Sequence, residues 1–253
     1  MANTQVTTVK KQWVDNIAAD LESVRDALPT NFNKSRFIEN AVAVIMDKGK
    51  ELEKYGSAQV MNCLRRGAIL GLDFMNKECY LVGYGNKLEF QMDYSGMEKL
   101  VKKYSIRPVR EIIADVVREG DDFTACIKDS VPQINFVPKM FNTAEIVGAF
   151  AYVVFEDGGI SYCTMSRKEL DVVRSKSKMG NGGAWKDFPE RMYRKVAIRR
   201  LLKDVEVDFE NAFQAEYYND DESIPQTSQD IVDSVAVEIE ESANQIPFSI
   251  GGD

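Results

Sequence analysis

The chain contains no histidine. That removes the residue whose unperturbed pKa suits proton transfer near neutrality, and the commonest metal ligand. Ser–His and Cys–His nucleophile pairs are excluded, leaving carboxylate-only sites of the Mg²⁺ type as the open route to metal chemistry. Cysteine is sparse: Cys63, Cys79, Cys126 and Cys163 stand far apart, with neither zinc-site spacing nor the density of a disulfide scaffold, and read as reduced, small core residues. Long apolar runs are missing as well. None approaches the roughly 18 residues that a membrane helix needs, and the polar opening from Met1 to Lys11 has no apolar signal region behind it, so a cytoplasmic protein is expected. Neither "GYGN" nor "GNGG" forms a Walker loop or a dinucleotide fingerprint, so no nucleotide cofactor is expected. Finally, residues 204–253 hold no lysine or arginine at all.

What is present suffices for a folded body. With 253 residues, 44% of them hydrophobic, the chain can bury the core of one large domain or two small ones. Apolar spacing predicts helices over Val9–Leu28, ending before Pro29, over Phe37–Tyr55, and from Ser57 to about Leu70. "CYLVGYGNKLEFQM" is two apolar stretches around a glycine-rich turn, the pattern of a hairpin. A helix over Tyr94–Tyr104 follows, then strands near Val109–Arg118, Phe123–Lys128, Ile146–Phe155 and Gly159–Thr164, with helix again from Met165. Connections this short forbid parallel crossovers, so the fold class is α+β, with an antiparallel sheet and hairpins packed by helices. The boundaries expected are a helical segment 1–34, a core 35–217, and an acidic tail 218–253 whose composition is that of a disordered segment.

Charge divides the chain more sharply than hydrophobicity does. The net charge is -8, yet residues 165–203 carry +8 and residues 204–253 carry -14. With Asp187 as cap and Pro189 and Glu190 in the first turn, the stretch "DFPERMYRKVAIRRLLK" is predicted to be a helix. Four-residue spacing then places Arg191, Lys195, Arg199 and Lys203 on one ridge and Tyr193, Ala197, Leu201 and Val205 on another, with the second ridge buried. An ordinary solvated face mixes signs, because like charges four apart repel. A ridge of one sign instead suits an anionic partner, and the phosphates of a nucleic acid fit a linear array. Just upstream, "SKSKMGNGGAWK" is a glycine loop flanked by Lys176, Lys178 and Lys186, with Trp185 as a candidate stacking face, although tryptophan serves more often as a core anchor.

The blocks "GLDFMNKECYLVGYGNKLEFQMDYSGMEKLVKKY", "MSRKELDVVRSKSK" and "AWKDFPERMYRKVAIRRLLK", in this order and spacing, resemble the RecT family of phage single-strand annealing proteins over roughly residues 35–205. Where the family usually has proline this chain has Phe74 and Gly83, and where it has threonine this chain has Val196; none of these departures removes a charge. The resemblance implies an ATP-independent recombinase, without cofactor, that coats single-stranded DNA, pairs complementary strands and assembles into rings or helical filaments. It implies a core related to the Red beta and eukaryotic annealing proteins and a partner 5′ to 3′ exonuclease; a host single-strand-binding protein is a further expected partner. It marks Arg174, Lys176, Lys178, Trp185, Lys186, Arg194, Lys195 and Arg199 as DNA contacts, together with Asn86 and Lys87 on the hairpin. The rival readings are a Mg²⁺-dependent nuclease drawing on Asp73, Glu89, Asp93 or Asp121, and a general single-strand-binding or structural filament protein.

Overall fold

The computed structural model describes residues 2–177, 180 and 182–220; Lys178 and residues 221–253 of the expected tail lie outside them. The helices are α1 (Ala2–Ser23), α2 (Lys34–Glu53), α3 (Gly56–Leu70), α4 (Tyr94–Tyr104), α5 (Arg167–Lys176), α6 (Ala184–Asp187), α7 (Pro189–Asp204) and α8 (Ala212–Asn219). The strands are β1 (Cys79–Tyr84), β2 (Lys87–Met92), β3 (Val109–Arg118), β4 (Asp122–Lys128), β5 (Val131–Val137), β6 (Ile146–Phe155) and β7 (Ile160–Ser166), and every pairing between them is antiparallel. The α+β class expected from the sequence holds. The described residues form two compact units, 2–106 with 206–220 and 107–205.

In the first unit α2 presents Phe37, Ala41, Val42 and Ile45 to the core at helical spacing, and Asn33 caps it by accepting from the Arg36 backbone N–H. Helix α1 ends at Ser23 rather than at Leu28. Pro29 disfavours helical backbone in the residue before it, and Leu28 is extended (φ -74°, ψ 146°) after a single 3-10 turn over Arg25–Ala27. Helix α3 stops at Gly71, whose left-handed φ of 68° closes the last turn at little cost to a residue without a Cβ. The hairpin β1–β2 then pairs Cys79 with Met92 through to Tyr84 with Lys87.

Glu210 ties the returning segment into this unit. Its carboxylate accepts from the Thr30 backbone N–H (2.6 Å), the Thr30 hydroxyl (2.8 Å), the Tyr104 hydroxyl (2.8 Å) and the Lys103 ammonium (3.1 Å). Burial alone would raise the carboxyl pKa; these donors outweigh it and bring it down from 4.5 to about 2. A carboxylate whose folded pKa is depressed stabilises the fold above its unfolded pKa, and that contribution fades as the pH falls from about 4.5 toward 2. The midpoint of urea unfolding should therefore drop over this window more steeply in the wild type than in Glu210→Gln, which is less stable at neutral pH. Parallel pH profiles for the two proteins would refute the assignment.

The second unit is built on the sheet β3–β6–β7. Its central strand β6 is buried almost throughout, as expected of a strand covered on both faces. Helix α7 packs against all three strands, and α5 against β6, β7 and α7. The hairpin β4–β5 is fastened to β6 by aromatic rings: Phe123 stacks on Phe150 and Phe136 meets it edge-on, both with centroids 4.9 Å apart. Strand β5 and helix α8 are not foreseen by the sequence pattern. Cys126, on β4, is exposed rather than a core residue. The other three cysteines are buried, and burial pushes the Cys63 thiol up to about 11 and that of Cys163 to about 12, which keeps both protonated.

Candidate nucleic-acid interface

The approach to the basic helix starts with α5. Ser166 and Glu169 form a reciprocal capping box at its first turn, which fixes where the helix begins. At its far end the Arg174 guanidinium donates from Nε to the Gly180 carbonyl (2.8 Å), and the Gly180 N–H donates to Ser177 (2.9 Å). Arg174 thus holds the glycine loop against the helix end. Lys176 is exposed.

Trp185 lies inside the unit. It is 4% exposed, its indole N–H donates to the Ser177 hydroxyl at 3.1 Å, and its ring meets Tyr193 edge-to-face at 5.9 Å. The Tyr193 hydroxyl in turn donates to Asp171 (3.0 Å); burial and then this bond raise the phenol pKa. The stacking face expected of Trp185 is therefore turned inward, and the tryptophan anchors the loop. Asp187 does not cap the basic helix either. It closes the short α6, and α7 starts at Pro189 after Phe188, which makes no side-chain cap. Phe188 is itself exposed and carries the Arg191 guanidinium over its ring at 5.2 Å.

Helix α7 buries the ridge expected of it: Tyr193, Ala197, Leu201 and Val205 are 1%, 0%, 0% and 7% exposed. The cationic ridge behaves differently from rung to rung. Arg191 is exposed, Lys195 and Lys203 are half-buried, and Arg199 is only 4% exposed. Each four-residue step rotates about 40° around a helix with 3.6 residues per turn, so the ridge winds away from the open side as it climbs. Val196, Ile198 and Leu202 are buried too, so the packed arc is far wider than one stripe and takes Arg199 with it. The reading of α7 as an exposed ladder is corrected at that rung.

Arg194 is committed within the unit. Its Nε lies 3.1 Å from Asp115 and a terminal nitrogen 3.8 Å from Glu190, which also pairs with Arg118. Two cations and two anions neutralise one another there, a pairing that brings β3 residues to α7 and that sequence spacing could not reveal. Lys186, on α6, and Arg191, in the first turn of α7, remain exposed.

In the first unit Asn86 and Lys87 occupy the exposed tip of the β1–β2 hairpin. Gln59 of α3 holds that tip, donating to the Asn86 carbonyl (3.2 Å) and accepting from the Leu88 N–H (2.8 Å). Lys87 pairs with Glu89 at 3.1 Å on the surface, an ion pair that stabilises little and yields readily to a competing anion.

Two carboxylates of the nuclease reading, Asp73 and Asp121, accept hydrogen bonds from neighbouring groups. Asp73 accepts from the Met75 N–H and the Asn40 amide, and Asp121 from Asn142 and the Arg118 and Lys139 N–H groups. Among the described residues no three acidic or cysteine side chains gather as metal ligands, and no helix is long and apolar enough to cross a membrane.

Among the described residues this antiparallel α+β protein exposes Lys176, Lys186 and Arg191 in the second unit and, separately, Lys87 at the hairpin tip of the first. The RecT family model matches residues 35–234, and Protein RecT of Escherichia coli strain K12 is 30% identical over 199 residues, spanning 75% of this chain and 72% of that one. The chain belongs to the RecT family, a DNA-binding family of recombination and single-strand annealing.

Proposed function

We propose that this protein binds single-stranded DNA through its phosphates and anneals it to a complementary strand without ATP, assembling on the DNA as a ring or helical filament. In this reading it acts in the cytoplasm of a bacterial host, on strands exposed by a 5′ to 3′ exonuclease. Contact with the host single-strand-binding protein, and competition between the acidic tail and DNA, belong to the same proposal. The observation that carries it is the exposure of Lys186 on α6 and of Arg191 in the first turn of α7, in a chain of the RecT family. Annealing makes and breaks no covalent bond. It requires that two phosphate backbones be neutralised while bases test their pairing, and base pairing itself supplies the sequence specificity.

Affinity for a single-stranded oligonucleotide is expected to fall linearly on a log-log plot against salt, with a slope near -0.7 for each phosphate contacted, and to depend little on base sequence. Lys186→Glu with Arg191→Glu should lower affinity at low salt and slow the annealing of complementary oligonucleotides. It should leave thermal unfolding near that of the wild type, because exposed charges add little to stability. Annealing at the wild-type rate by the double variant would remove this surface from the DNA path.

A further inference from the structure

Helix α2 does not run straight into its end. At Gly49 the backbone leaves the helical region (φ 15°, ψ -96°) before the last turn resumes, and beside this break lies an open pocket of about 450 Å³. Its walls carry Lys48, Lys50 and Lys54 against a single acid, Glu51, while Leu52, Leu81 and Leu88 form an apolar floor. The three lysines have different surroundings. Lys48 is tied down, donating to the Leu81 carbonyl at 3.1 Å. Lys54 sits over the Tyr55 ring at 4.7 Å. Lys50 and Lys54 are exposed, and among the described residues neither forms an ion pair with an acid. The opposite wall is held in place by Gly83, where the Tyr55 hydroxyl packs so closely that a Cβ would overlap it.

Two cations four residues apart repel one another, and neither is ion-paired with Glu51, the one acid of the wall, while the pocket is wide enough for a tetrahedral oxyanion. We infer that this pocket binds a phosphate group, with Lys50 and Lys54 as the charge partners of its oxygens and Lys48 as a fixed donor at the wall. Phosphate presents the several acceptor oxygens that three ammonium groups can share, as compact point charges with rotatable donors. Two sources supply that chemistry, a phosphodiester of a nucleic-acid strand and a free polyphosphate. The pocket lies wholly within the first unit and its reading does not depend on α7.

The test is amine acetylation of the full-length protein, followed residue by residue by mass spectrometry, with three probes: single-stranded oligothymidylate, its uncharged methylphosphonate analogue, and inorganic tripolyphosphate. Oligothymidylate is expected to slow acetylation of Lys50 and Lys54 several-fold while the methylphosphonate leaves it unchanged, which assigns the pocket to a strand. Protection by tripolyphosphate without protection by the oligonucleotide assigns it to a free polyphosphate. No protection by either charged probe, or equal protection by the methylphosphonate, overturns the inference. Lys50→Ala with Lys54→Ala, both exposed, should in the first case lower the salt slope of oligonucleotide binding by about 1.4, two contacts at about 0.7 each. Binding that involves α7 while Lys50 and Lys54 stay reactive would sink the pocket alone. Loss of all DNA binding with tripolyphosphate protection intact would sink only the proposed function.

Discussion

Replacing Arg199 by glutamate is expected to unfold the second unit or to cost it at least about 3 kcal/mol, rather than simply to weaken a DNA contact. Arg199 is 4% exposed in the packed middle of α7, with Val196, Ile198 and Leu202 buried around it. Reversing its charge places an anion where the surroundings accommodate a cation, and an uncompensated charge in such a place typically costs about 3 to 5 kcal/mol. Arg191→Glu, two turns earlier on the same ridge but exposed, should change stability by no more than about 0.5 kcal/mol. Urea unfolding with matched m-values separates the two, because a shift of midpoint at constant m reports stability alone. Equal midpoints for the two variants would mean that the burial of Arg199 carries no energetic weight.

The second large effect falls on β6. Phe150 is 1% exposed and holds three aromatic partners: Phe123 and Phe136 from the hairpin β4–β5 and, at 6.2 Å, Tyr152 from its own strand. Phe150→Ala deletes the ring on which that hairpin is seated, and a phenylalanine cavity of this kind costs about 3 to 5 kcal/mol. Since a two-stranded hairpin is marginal without a surface to pack on, amide exchange in β4 and β5 should accelerate beyond that in β3, β6 and β7. A loss below about 1 kcal/mol with unchanged exchange would show that Phe123 and Phe136 hold the hairpin by other contacts.

The hairpin also marks one limit of what local pattern conveys. Helix α4 and strands β3 and β6 begin and end where the sequence pattern places them, because strong apolar runs there are bounded by turn residues. Strand β5 is invisible by the same reasoning. Its turn uses Asp129 and Ser130, both at positive φ (51° and 64°), where a two-residue hairpin usually announces itself with Asn-Gly or Asp-Gly. Pro132 further argues against a strand, yet it is tolerated here because β4 and β5 form a two-stranded sheet in which both are edges. Helix α8 is concealed by the acidic composition around it, and its place comes from long-range bonds, among them the Gln214 amide donating to the Ile69 carbonyl (3.0 Å).

By itself the sequence determined the α+β class, the absence of imidazole chemistry, the basic block at residues 165–203 and the buried ridge of α7, because each follows from composition or from a period that survives in any compact fold. Only the tertiary structure decided which cations face outward. A four-residue ridge winds around its helix, so the exposure of each rung depends on what packs beside it. Arg191 stays in the open, Arg199 passes under neighbouring elements, and Arg194 is matched by Asp115 and Glu190. The inward turn of Trp185 and the gathering of Lys48, Lys50 and Lys54 beside β1 are likewise tertiary facts. They rest on a hydroxyl at Ser177 and on a break at Gly49, whose consequences no reading of residue types in order contains.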